Sequence, residues 1–368
     1  MAFSTVTMVA AGDSGNSLED VAWQAVEDLI AGVNAGQMQG FKNRLINGCF
    51  RFNQRAPATN ADDTYCHDRF YVLTQTGTIA VTQLTDPETG AAHAVRLTQS
   101  QAVAQRMGLA QIIESENCRD LRSVITTLAG RVRLSTSDNI RYAVIEHTGT
   151  ADSVTSDIVG TWTSTTYTPS NFFIAGINVL AVGQVAATAA TWRDLTALNA
   201  TLGASTNNIV VFVWTENAVA QNVTLDLANL QWEAGATASK FELRPLQIER
   251  VLCERYYEKS FAVTTAPAQN VGVDTNEQYF GATAAGAVTN RWAMVPFRVL
   301  KRANPTMTFF NPAAANAFVR DFSAAADYGT TSAAGNIAQR GFRVYGQGNA
   351  ATAINNSVGV HWTAEAEL

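Results

Sequence analysis

The chain has 368 residues, with 25 Lys and Arg against 31 Asp and Glu, a formal net charge of −6. It therefore lacks the basic surface that attachment to nucleic-acid phosphates requires. With 47% hydrophobic and only 15% charged residues, against roughly 25% charged in an average globular domain, it buries enough apolar surface to offset its ordering entropy, which excludes intrinsic disorder.

In chain order, Met1 to Ala11 is mildly apolar but has no basic n-region, so no signal peptide is expected. The first predicted element is a helix over Ser17 to Ile30. Ser17 is placed to cap it, and Leu18, Val21, Ala22, Ala25, Val26 and Leu29 recur at steps of three and four residues. A helix this short is unstable alone in water, so its apolar stripe needs cover, either from the body of the protein or from copies of itself. Three glycines and an Asn in Ala31 to Gly40 break the helix and read as a hinge.

From Phe41 onward, short segments rich in Val, Ile, Thr and aromatics alternate with polar turns. Arg69 to Thr74, Ala92 to Thr98, Val124 to Leu134, Ile140 to His147 and Asn208 to Thr215 are predicted strands of a sandwich or jelly roll. In the last of these Ile209, Val211 and Val213 share one face while Val210, Phe212 and Trp214 share the other, which predicts a central strand covered on both sides. Gln99 to Met107 is a loop or a helical turn. Phe172 to Ala190 approaches the length of a membrane span, but it carries Asn178, Gln184 and two glycines and has no cationic flanks; two buried strands joined at Gly183 explain it better.

A second helix is predicted over Leu243 to Ser260. Pro245 suits its first turn, Leu246, Val251, Leu252 and Tyr256 supply apolar positions, and Arg250 and Glu254 form an i,i+4 pair. Beyond it, Glu277 to Gly281, Trp292 to Val299, Thr306 to Phe310, Phe342 to Tyr345 and Val358 to Ala364 read as strands. The expected fold class is therefore all-β: a jelly-roll β-sandwich, a short helix and a second, C-terminal β-sandwich, preceded by the short N-terminal helix. The expected divisions are a docking segment and hinge (1–40), the jelly roll (41–244), the connecting helix (245–260) and a distal β domain (261–368).

Chemistry-bearing patterns are sparse. His67, His93, His147 and His361 show no zinc-type spacing, and no GxSxG, Walker A or GxGxxG run is present. Asp62, Asp63, Asp68 and Glu114 could supply a glycosidase pair, but nothing in the sequence pairs them. No catalytic residue, metal or cofactor is expected. Cys49 and Cys66 flank one loop and could meet; with Cys118 and Cys253 they are expected as reduced, buried thiols.

Sugar rings stack on exposed aromatics, and this makes Trp162 and Tyr167, beside Thr-rich segments, the candidate glycan-binding residues. Trp192 is a third candidate platform of the region and is more readily read as core. In Trp292 to Val299, Ala293, Val295, Phe297 and Val299 form a core face, while Trp292, Met294, Pro296 and Arg298 form an outward face typical of interfaces. Leu18, Val21, Ala25, Leu29, Trp292 and Met294 are the expected oligomer-interface residues. Thr306 to Phe310 and Phe342 to Tyr345 carry aromatics on opposite parities and are expected to be covered on both sides.

The run from Asn43 to Arg55 (Asn-Arg-Leu-Ile-Asn-Gly-Cys-Phe-Arg-Phe-Asn-Gln-Arg), followed by Asp68-Arg69-Phe70, resembles the opening of a jelly-roll module of tailed-bacteriophage and prophage fibre proteins. Asn229 to Gly235, Phe241-Glu242, Arg244-Pro245 and Cys253 to Ser260 are similar to that family's exit strand and connecting helix, and Val360 to Leu368 resembles its terminal distal strand. The resemblance implies a virion protein assembled in the host cytoplasm and usually homotrimeric. Its amino-terminal segment would dock on a head, neck or tail protein, and its carbohydrate-binding-module-like jelly roll would meet bacterial surface polysaccharide. Such modules sometimes hold structural calcium near the opening Asn-Gly; here Cys49 stands where Asp is common, and Asp226 is the only acid close before Asn229. The leading expectation is a non-enzymatic fibre protein that binds host glycan. A purely architectural fibre is the alternative and a glycan depolymerase the third reading. Neither nucleic-acid binding nor membrane insertion is expected.

Overall fold

A computed structural model of the protein describes residues 41–57, 59–85, 93–272, 278–281, 290–348, 353 and 355–368. The predicted N-terminal helix, and with it Leu18, Val21, Ala25 and Leu29, lies outside the described residues.

The chain crosses repeatedly between two antiparallel sheets. β1 (Thr64–Tyr65) and β2 (Tyr71–Thr74) lie in the first sheet, β3 (Ile79–Thr85) and β4 (His93–Gln99) in the second, and β5 (Met107–Ile113) in the first again. β6 (Ile125–Leu134) joins the second sheet, and β7 (Asn139–His147) and β8 (Asn178–Ala186) the first. β9 (Arg193–Asp194) and β10 (Leu198–Thr201) return to the second, β11 (Asn208–Thr215) runs in the middle of the first, and β12 (Thr224–Ala234) in the middle of the second. The spatial orders are β1-β2-β5-β11-β7-β8 and β10-β6-β12-β4-β3, the jelly-roll β-sandwich expected from the strand spacing.

Every residue of β11 is buried. Ile209, Val211 and Val213 enter the core between the sheets, while Val210, Phe212 and Trp214 pack under the 148–177 connection through Phe172, Phe173 and Ile158. Alternation with both parities apolar has no other stable outcome than cover on two sides. Between Gln99, the last residue of β4, and Met107, the first of β5, residues 100–106 form a loop, pinned by a bridge from Gln105 to Val219.

Gly183 corrects one expectation. It joins nothing; it sits mid-strand in β8, opposite Tyr142 of β7. A Cβ there would lie 2.3 Å from the Tyr142 ring, so the glycine makes room for the tyrosine.

The second helix is shorter than predicted. α1 spans Leu246–Glu254, and Tyr257–Lys259 is already a strand, β13. Its predicted apolar positions divide: Leu252 and Tyr256 pack inward beside Cys253, and Leu246 and Val251 do not. Glu249, Cys253 and Glu254 face inward, whereas Leu246, Ile248 and Val251 are exposed. The inward carboxylates have strong partners: Arg244 bonds Glu249 at 3.1 Å, and Arg250 bonds Glu254 at 2.8 Å as the predicted i,i+4 pair.

β14 (Gln278–Gly281), β15 (Asn290–Pro296), β16 (Thr306–Phe310), β17 (Phe318–Asp321), β18 (Ala326–Thr331), β19 (Ala333–Ala338), β20 (Gly341–Gln347) and β21 (Ser357–Glu365) complete the second sandwich. β21 is its spine and pairs with β13, β14, β16 and β17, while β15, β20 and β19 form the facing sheet. Val295, Phe297, Phe342, Val344, Val360 and Trp362 fill the space between them. Val295 and Phe297 are on the predicted core face, and Met294 is 56% exposed, as its parity requires. The side chain of Trp292 lies outside the described residues. β16 and β20 are not covered on both sides: β16 buries Phe309 alone, and β20 alternates buried with half-buried residues, its Arg343 and Tyr345 turned from the core.

The chain after β21 returns to the jelly roll. The Ala366 amide donates to Tyr256 O at 2.7 Å, and Arg302 donates to the carbonyls of Ala366 and Glu367 at 2.8 and 2.7 Å. The Glu367 carboxylate pairs with Arg69 and, at 3.1 Å, with Arg55. Arg69 also donates to Ile112 O at 2.6 Å and lies 3.6 Å over the Tyr256 ring. The two sandwiches are thus fastened by a buried ionic joint. All four cysteines are free and buried, Cys49 and Cys66 included. Among the described residues no helix is long and apolar enough to cross a membrane.

Candidate functional site

The 148–177 connection between β7 and β8 covers the outer face of the first sheet, and the sheet's aromatics decide how. Trp214 stacks on Phe212 at 4.7 Å and on Phe172 at 5.1 Å. Gly108, opposite Trp214 on β5, permits this stack, because a Cβ there would sit 2.6 Å from both Phe212 and Trp214. Trp162 and Tyr167 then meet the edge of the same ring: Phe172 is T-shaped against Trp162 at 5.8 Å and against Tyr167 at 5.1 Å. The two predicted glycan-binding residues therefore come together on one rim, each half-buried.

Charged groups surround them. The Tyr167 hydroxyl donates to Glu216 Oε1 at 3.2 Å, Arg141 Nε donates to the same oxygen at 2.9 Å, and the Arg141 guanidinium lies 4.8 Å from the Tyr167 ring. Burial raises the Tyr167 hydroxyl's pKa, with the Glu216 charge adding to the rise. Burial also acts to raise Glu216, but hydrogen bonds from Arg141 and Asn139 outweigh it and hold the carboxyl below its usual range. Arg106 Nη1 is buried without a hydrogen-bond partner among the described residues, and its charge reaches Tyr167. Two half-exposed rings thus stand beside a fixed carboxylate and cations, which suits a polyhydroxylated ring with apolar C–H faces.

A second platform was not assembled by the sequence reading. Trp192 is half-buried on the outer face of the second sheet, packed against Ala94 and Ala228, with the Arg133 guanidinium 4.8 Å over its ring. It is neither core nor free. Register brings Arg96 and Arg133 to either side of Asp226, which is 1% exposed and bonds them at 2.7 and 2.8 Å. The signal lay in strand pairing, which the sequence does not display. Asp226→Asn is expected to cost about 1–3 kcal/mol, the range for a charge-assisted bond to a buried acceptor. Urea unfolding measures this, and an unchanged midpoint would show the triad to be inert.

The acids weighed for hydrolysis have other work. Asp68 accepts from Gln54 N and Nε2 at 2.9 and 2.6 Å, Glu114 from Arg255 at 2.7 Å and Tyr256 at 2.6 Å, and Asp62 from Thr74 N at 2.6 Å. Burial raises the carboxyls of Asp62 and Asp63.

The residues around the opening Asn-Gly do not fit calcium. Asp226 is held by two arginines, and the carbonyls of Asn43 and Leu45 accept from the buried Arg244 guanidinium, whose countercharge is Glu249. A guanidinium takes the place a cation would need. Among the described residues no group of three or more His, Cys, Asp or Glu could hold a metal ion.

No protein-family model matches the chain, and no curated protein matches it. Some solved structures align with part of the chain. TmCBM61 in complex with β-1,4-galactotriose is 13% identical, with 52% of this chain and 99% of that chain covered, at a TM-score of 0.32. The family 22 carbohydrate-binding module of Clostridium thermocellum Xyn10B is 9% identical over 47% of this chain and 89% of that one, at 0.30. The enzymatically active domain of bacteriophage CBA120 tailspike protein 4 is 10% identical over 53% of this chain and 22% of that one, at 0.32.

Proposed function

We propose that the protein is a non-enzymatic virion fibre component that binds bacterial surface glycan through the jelly roll. The observation that carries the glycan reading is the shared rim of Trp162 and Tyr167 beside Arg141 and Glu216. Phe172 packs against both rings, with Phe212 also against Trp162 and Trp214 also against Tyr167, so little conformational freedom is lost on binding. The fibre reading is supported by the family resemblance of the opening and exit motifs. In it the protein is a homotrimer attached to the virion by its amino-terminal segment, with the exposed Met294 face meeting neighbouring copies. Three weak sites on one particle gain avidity without any single tight pocket.

Binding of the purified protein to host envelope polysaccharide tests the glycan reading. Trp162→Ala and Tyr167→Ala are each expected to weaken it by about tenfold, since one stacked ring contributes on the order of 1–2 kcal/mol. Retention of wild-type affinity by both variants would remove the rim from the mechanism. An absence of binding to any envelope fraction would favour the architectural reading, which the exposed apolar residues around α1 also suit. Sustained release of reducing ends would instead establish a depolymerase. Analytical ultracentrifugation decides the trimer: a single-subunit mass at every dilution would sink it.

A further inference from the structure

The rim of Trp162 and Tyr167 holds one more cation than its own acid balances. Glu216 is engaged by Arg141, whose Nε donates to Oε1 at 2.9 Å, and by the Tyr167 hydroxyl at 3.2 Å. Arg106 is left over. It is only 9% exposed, it forms no ion pair among the described residues, and its Nη1 is buried without a hydrogen-bond partner there. Asp62, at the neighbouring end of β2, bonds Thr74 N at 2.6 Å and is not paired with it either.

Backbone contacts fix where this side chain stands. Arg106 N donates to Gln75 Oε1 and Gln75 N donates to Arg106 O, both at 3.1 Å. On the other side Gln105 is bridged to Val219, and Met107 N donates to Thr215 Oγ1 at 3.2 Å, so Arg106 lies across from residues 216–218, Glu216 among them. Gly108 faces Phe212 and Trp214. Alternation from Gly108 puts Arg106 on the same outer face of the sheet, where its charge reaches Tyr167.

A guanidinium cannot shed its proton to escape burial, and a buried cation without a countercharge is costly. Here that cation stands beside the two rings that suit sugar stacking, so an occupant of the rim gains most by bringing an anion. The small exposed fraction of Arg106 admits only a compact group. A carboxylate is flat and meets the planar guanidinium fork edge to edge, which a tetrahedral phosphate does less closely.

We propose that the ligand of this rim is an acidic polysaccharide, whose uronate carboxylate pairs with Arg106 while its sugar ring lies against Trp162 and Tyr167; this rests on the glycan reading above. Arg106 is then the residue that sets specificity, and neutral glycans of the same ring shape bind more weakly.

An array of bacterial surface polysaccharides, comprising neutral, phosphate-bearing and uronate-containing glycans, tests this with the full-length protein. Every retained glycan is expected to contain a uronate, and reduction of its carboxylates to primary alcohols should weaken binding about tenfold or more, the scale of one charge-assisted bond. Arg106→Met keeps the length of the stem and drops the charge, and it should no longer distinguish the native glycan from its reduced form. Retention of glycans without uronate, or a variant that still distinguishes the two forms, would overturn the proposal and leave the glycan reading standing. Retention of no glycan would remove both. A second measurement needs no ligand. With no partner to lose, Arg106→Met should unfold in urea at a midpoint no lower than that of wild type. A lower midpoint would show that the guanidinium already has its countercharge within the protein, and would overturn the assignment.

Discussion

Glu367→Ala is expected to destabilise the protein by about 3–5 kcal/mol, the usual cost of stripping one partner from a buried ion pair. The side chains of Arg69 and Glu367 are only 1 and 4% exposed. Without the carboxylate, Arg69 keeps the Ile112 carbonyl and the Tyr256 ring but no countercharge, and Arg55, whose side chain is 9% exposed, loses its more buried partner. The loss falls between the sandwiches. Arg55 and Arg69 belong to the opening of the jelly roll, whereas Glu367 follows the spine strand of the second sandwich. Urea unfolding monitored by tryptophan fluorescence should therefore show a lower midpoint and a transition that separates into two. Glu367→Gln, which keeps acceptor geometry without charge, should fall between wild type and Glu367→Ala. A Glu367→Ala protein that unfolds in one step at the wild-type midpoint would show that the joint does not couple the two bodies.

Acid should act chiefly through His67. Its side chain is fully buried, both ring nitrogens lack hydrogen-bond partners among the described residues, and Phe50 packs edge-on against it at 6.1 Å. Burial, with a smaller contribution from His93, pulls its pKa down to about 3. The unfolded chain takes up this proton near pH 6.5, and the folded chain takes it up only near 3. Between those values the unfolded state binds more protons, so stability falls as pH falls, by about 1.4 kcal/mol per unit. The contribution is fully present above pH 6.5. From pH 7 to pH 4.5 the loss should reach roughly 3 kcal/mol. His67→Leu should flatten the slope while leaving stability at pH 7 nearly unchanged, because it removes two unsatisfied polar atoms and keeps the volume. The comparison between the two proteins isolates the histidine from Asp68, whose carboxyl is raised by burial and acts in the opposite sense. Parallel pH profiles would assign the acid sensitivity elsewhere.

Much of the strand content was legible from parity. β11 buries both faces because both of its parities are apolar, and β15 turns Val295 inward and Met294 outward as written. Trp162 and Tyr167 were identified by residue type, and the fold brought them together through a shared neighbour, Phe172. Other features were hidden. The Trp192 platform rests on Asp226 standing directly across from Arg96 and Arg133, and register between strands far apart in sequence has no local signature. β16 and β20 were misread because an aromatic on each parity signals cover only when a second layer exists to supply it.

α1 marks the division most sharply. Its periodicity, its Pro245 start and its Arg250–Glu254 pair are local properties, and they alone determined that a helix forms. Likewise the chain's own composition and alternation determined an all-β protein with more apolar surface than charge. Which face of α1 points inward was decided by Arg244, already buried against the carbonyls of Asn43 and Leu45, because an uncompensated guanidinium costs more than an exposed leucine. Glu367 is a similar case: one ordinary acid in the sequence, made into a fastening by two arginines about 300 residues away. Short-range periodicity is written residue by residue, whereas the meeting of distant charges exists only once the chain has closed on itself.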